Sequence, residues 1–137
     1  MLAPGASFYS EHDRVLVIGA HDNDFYTTRL TLNGSEEFRS MEFRRGVKYR
    51  LRVINIGPNL EVNVQLSAAG RPVTWRAIAK DGADLPPRLA TVQDASLHIV
   101  SGEVYDFEFQ PDAAGEMQFQ VENNLNKANS VGKVFVQ

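Results

Sequence analysis

An all-β sandwich of antiparallel strands joined by Greek-key links is the fold class this sequence predicts. Three observations lead there. Apolar residues recur at every second position along most of the chain, as in RVLVIG at 14–19 and KYRLRVINIG at 48–57. Gly, Pro, Asn or Asp bounds each such run. No window carries its apolar residues at the helical period, and the best candidate is a single turn in NNLNKANS.

Taken in order, the runs give about nine short strands. RVLVIG (14–19) alternates before the loose stretch 20–27, and TRLTLNG (28–34) ends on Asn-Gly. KYRLRVINIG (48–57) sets Lys48, Arg50 and Arg52 against Tyr49, Leu51 and Val53, which reads as a solvated basic face over an apolar one. LEVNVQLS (60–67) follows, then VTWRAIAKDG (73–82), where Trp75 falls on the core side with Val73 and Ala77 and Asp81-Gly82 forms a turn. ASLHIVSG (95–102) leads by a Gly turn into EVYDFEFQP (103–111). There Tyr105 sits where Greek-key sandwiches place a tyrosine whose hydroxyl pins a corner. Asp106 and Glu108 alternate with Tyr105, Phe107 and Phe109, the pattern of a wet face on a half-buried strand. EMQFQVEN (116–123) and GKVFVQ (132–137) close the chain. Residues 1–12 are expected to be as loose as 20–27.

The 137 residues suit one domain, 1–137, with enough apolar residues (43%) for a core. The net charge of −3 calls for neither nucleic acid nor an anionic membrane as partner. No apolar run approaches the roughly 20 residues of a membrane helix, and MLAPGASFYS lacks the basic start and apolar core of a signal peptide. The chain contains no cysteine, which removes disulfides, thiolate nucleophiles and thiolate metal sites together.

Chemistry-bearing constellations are sparse. His12, His21 and His98 are far apart, and His98 in SLHIV reads as a half-exposed strand histidine. Arg39, Arg44, Arg45, Lys48, Arg50 and Arg52 interleave with Phe38, Phe43 and Tyr49, as a nucleic-acid strip would. Strand alternation and the acidic balance of the chain explain the same residues without one. There is no phosphate-binding glycine loop and no nucleophile elbow. No catalytic residue is expected.

Several segments, in order, resemble the cupredoxin domains of multicopper oxidases: LNGS (32–35), GVKYRLRVINIG (46–57), AIAKDGADLPP (77–87), IVSGEVYDFEF (99–109) and GEMQFQVEN (115–123). They look most like the copper-free second domain of laccase-like enzymes, and the resemblance covers roughly residues 30–137. It implies a cupredoxin-like sandwich. In a copper-bearing domain of that family, the last strand–loop–strand corner carries a Cys flanked by two His, with a further His and often an axial Met downstream. Laid on that pattern without gaps, this chain has Val121 at the cysteine, Gln120 and Glu122 at the flanking histidines, Asn126 at the later histidine and Val131 at the axial position.

The resemblance therefore implies a structural domain without copper or other cofactor. It would wall the substrate cleft of a larger multidomain oxidase whose flanking domains hold the copper. The partners implied are those other cupredoxin domains, and the compartment implied is periplasmic or extracellular. The alternative expectation is a free-standing binding module for a carbohydrate or a protein, using exposed aromatics such as Phe25 and Tyr26. A further alternative is a metal site assembled from distant histidines and carboxylates.

Overall fold

A computed structural model describes residues 12–21, 29–124, 127 and 129–137. Phe25, Tyr26 and Asn126 lie outside the described residues, as does part of NNLNKANS.

Two sheets enclose one core. The first runs in the order β2 (Arg29–Leu32), β1 (Asp13–His21), β4 (Tyr49–Asn55), β11 (Val104–Phe109), β7 (Thr74–Lys80) and β8 (Ala83–Asp84), with β9 (Val92–Asp94) also on β7. The second runs β10 (Ser96–Ile99), β5 (Val62–Ala68), β12 (Gly115–Asn123), β13 (Asn129–Val136) and β3 (Met41–Phe43), with β6 (Arg71–Pro72) on β5. The alternation read from the sequence is what builds this core. Leu16 and Ile18 of β1, Leu51 and Val53 of β4, Val62, Val64 and Leu66 of β5, and Phe119 and Val121 of β12 are all fully buried. Trp75 is buried as expected, stacked on Phe107 at 3.9 Å between ring centroids.

The strands are not all antiparallel. β1 pairs parallel with β4, and β13 parallel with β3. Period-two alternation is blind to this, because a strand presents the same faces to either kind of neighbour. The short elements β3, β6, β8 and β9 were also missed, since two or three residues carry no period. The expected strand 95–102 stops at Ile99, and residues 100–102 turn the chain into β11.

Turn chemistry sets the hairpins. Asn33-Gly34 and Asp81-Gly82 each have positive φ at both residues (53° and 82°; 51° and 83°), the geometry that matches the twist of a two-residue hairpin. Asn55, fully buried, ties two turns together. Its amide donates to the carbonyls of Leu60 (2.8 Å) and Ile99 (3.3 Å), and its oxygen accepts from Gly57 N–H (3.0 Å). Among the described residues, no helix is long and apolar enough to cross a membrane.

Candidate functional site

The corner between β12 and β13 is the place to look for a blue-copper centre. Its register pairs Gln120 with Val131 and Val121 with Ser130. Adjacent residues of a strand face opposite sides. Val121 accordingly points inward and is fully buried, while Gln120 and Val131 face out, Val131 at 49% exposure. Glu122 shares the outer face with Gln120, and its carboxylate lies 3.6 Å from Lys127 Nζ. The positions matched to the ligand pattern, as far as they are described, therefore do not converge on one point.

The inner side of the corner is filled by carbon. Gly132 lies inward, paired with Phe119. A Cβ on Gly132 would collide with the ring of Phe38, so that ring occupies the space a side chain would take. Phe38 in turn meets Phe119 edge-on, 6.5 Å between centroids. Blue copper needs thiolate and imidazole donors converging on the metal. The inward side chains here are Phe38, Phe119 and Val121, so copper does not fit this corner. Across the described residues, no group of three or more His, Asp and Glu side chains is placed to hold a metal ion.

A ladder of charged residues lies on the outer face of the first sheet. Asp106 was expected on a wet face, but it is only 4% exposed. Arg50 donates to Oδ2 from Nε (2.8 Å) and Nη2 (2.6 Å), and Arg52 donates to Oδ1 from Nε (3.0 Å) and to Oδ2 from Nη2 (3.1 Å). Lys48 pairs with Glu108 at 3.4 Å. The solvated basic face of β4 is thus an ion-pair ladder to β11, with its positive charge answered by carboxylates. Burial pushes the Asp106 carboxyl up, but the hydrogen bonds and charges of Arg52 and Arg50 outweigh it and hold the group below the usual carboxylate range. Cross-strand complementarity was available as a signal: both runs place like charges at every second position, with opposite signs.

Tyr105 is half-buried, with its hydroxyl 3.3 Å from Glu103 Oε2 and Lys80 Nζ 5.3 Å from its ring centre. Among the described residues, the Tyr49 hydroxyl accepts a backbone N–H, that of Arg44 at 2.6 Å. Glu103 accepts the Val100 N–H (2.9 Å) and meets Lys80 at 3.0 Å, which together hold its pKa below the ordinary value. His98 is exposed on β10, with Nε2 2.7 Å from Glu61 and Nδ1 3.0 Å from Asn63. His21 ends β1 on the surface, and His12 lies beside Tyr49, 5.9 Å between ring centroids. The three histidines do not come together.

No protein-family model matches the chain, and no curated protein matches it in sequence. Solved structures do match. The chain is similar to Fet3p, described as a multicopper oxidase that functions in iron import, with a TM-score of 0.72 and 13% identity over 93% of this chain and 28% of that one. It is similar to the laccase of Botrytis aclada, with a TM-score of 0.64 and 19% identity over 90% of this chain and 28% of that one. It is also similar to a copper-containing nitrite reductase of Thermus scotoductus, with a TM-score of 0.65 and 15% identity over 91% of this chain and 30% of that one. The shared feature is the fold, which is the cupredoxin-like sandwich found in multicopper oxidases. The chain spans less than a third of each of these three proteins.

Proposed function

We propose that residues 1–137 form one copper-free cupredoxin-like domain of a larger multicopper oxidase. Its role is structural: it spaces the copper-bearing domains and walls the substrate cleft between them. Its partners are the other cupredoxin domains of the same parent chain, which would supply the copper and the catalysis, and the parent works in the periplasm or outside the cell. The observation that carries this reading is the β12–β13 corner, where Val121 and the Phe38–Gly132 contact take up the space in which copper ligands would have to meet. The fold likeness to oxidases several times longer than this chain supports a multidomain parent.

The test is oxidase activity of the purified chain. After copper loading, it is expected to turn over neither phenols nor ferrous iron. Turnover that survives removal of loose copper by chelator would overturn the reading.

A second reading is a binding module for a carbohydrate or protein. One observation favours it, an uncharged row of side chains, Ser96, Gln65, Gln120 and Val131, across the outer face of the second sheet.

A further inference from the structure

The outer face of the second sheet carries Glu116, Glu122 and Lys133, as a solvated sheet face does, but one row across its middle carries no charge. On such a face Lys and Glu usually dominate, because charge holds water and deters association. Here β5 and β12 pair Gln65 with Gln120, β10 sets Ser96 beside Gln65, and β13 sets Val131 beside Gln120. This gives one row across four strands, Ser96–Gln65–Gln120–Val131, without a charge. Gln118 continues the amides one step along β12, between Ser67 of β5 and Lys133 of β13. Between the rows lies a shallow groove of about 210 Å³ lined by Asn63, Val64, Gln65, Ser96, Gln120 and Glu122.

One end of this face is already braced. Asn63 Nδ2 donates to Asn124 Oδ1 (2.6 Å), Asn124 Nδ2 donates to Glu61 Oε1 (3.3 Å), and His98 lies within hydrogen-bonding distance of both Glu61 and Asn63. The carboxylates around the groove have partners as well, Glu122 with Lys127 and Glu116 with Lys133.

We propose that this face binds a neutral polysaccharide chain, with Gln65 and Gln120 as its central contacts. The chemistry selects that occupant. A carboxamide offers both donors and an acceptor from one rigid plane, and a sugar hydroxyl is likewise donor and acceptor. An anionic polymer calls for Lys and Arg in the groove, where none line it. A protein interface of ordinary kind calls for an apolar centre. The apolar surface present is marginal: Val131, at 49% exposure, is the one apolar side chain in the row beside the amides, suited to the C–H face of a sugar ring. The proposal rests on the binding-module reading, and it holds whether the chain stands alone or within a longer protein.

Affinity electrophoresis of the full chain in native gels tests it, with hydroxyethylcellulose, soluble xylan and soluble starch as the three polymers. Retardation in at least one gel, relative to a non-binding reference protein, is the expected result. The Gln65→Ala/Gln120→Ala variant should lose about tenfold or more in affinity, since each amide contributes a hydrogen bond. Gln120→Lys, a single change at an exposed position, should do the same and guards against a folding defect in the double variant. No retardation in any gel overturns the polysaccharide reading. Retardation that is unchanged in both variants overturns this face as the site while leaving a binding module standing.

Discussion

Replacing Asp106 with Asn removes the charge that Arg50 and Arg52 share. Both arginines stay half-exposed and recover part of their hydration, so the expected loss is about 2 kcal/mol at neutral pH. Urea denaturation should show it as a lower midpoint at unchanged slope. The pH dependence has a definite sign. Because the folded pKa of Asp106 is depressed, its stabilisation is present above the unfolded value of about 4 and is lost as pH falls through the folded value. The wild-type midpoint should therefore drop in that acid window, and Asp106→Asn should flatten part of the drop. Glu103, also depressed, first by the Val100 N–H, keeps the remainder. Tyr49→Phe removes the acceptor of the Arg44 N–H and should cost about 1 kcal/mol, or about 4 °C in Tm by calorimetry.

Between elements, the contacts that matter are made by residues off the strands' regular pattern. Phe38 lies in the connection from β2 to β3 and covers Gly132 of β13. Gly132→Ala should cost about 1–3 kcal/mol by overpacking. Phe38→Leu in the same chain should recover part of it, and a double-mutant cycle reads the coupling. Asn55→Ala leaves the Gly57 N–H and the Leu60 and Ile99 carbonyls to find other partners, and should cost about 2–3 kcal/mol by the same denaturation assay. None of these contacts was legible in the sequence. Alternation showed which strand residues face inward, so Tyr49, Leu51, Val53 and Trp75 were placed without coordinates. It said nothing of direction, so the parallel β1–β4 and β13–β3 pairs went unseen. The burial of Asp106 escaped for another reason: it depends on two side chains more than 50 positions away. Phe38 read as part of a basic–aromatic strip, because only the folded chain sets it against Gly132.

At the scale of the whole chain, the sandwich is built, while its β12–β13 corner is packed with hydrocarbon. Val121 faces in beside hydrocarbon while Gln120 and Glu122 face out, so introducing a thiolate at 121 alone gives it no imidazole partner. Val121→Cys is therefore expected to show no intense blue band, checked by visible absorption of the variant after copper loading. The most direct measurement is on the unaltered chain: copper content by plasma mass spectrometry after loading and desalting, with the visible spectrum recorded on the same sample. Substoichiometric copper and no blue band are the expected result. One tightly held equivalent of copper per chain, with or without the band, would contradict a copper-free domain and point to His12, His21 and His98 as the residues to replace next.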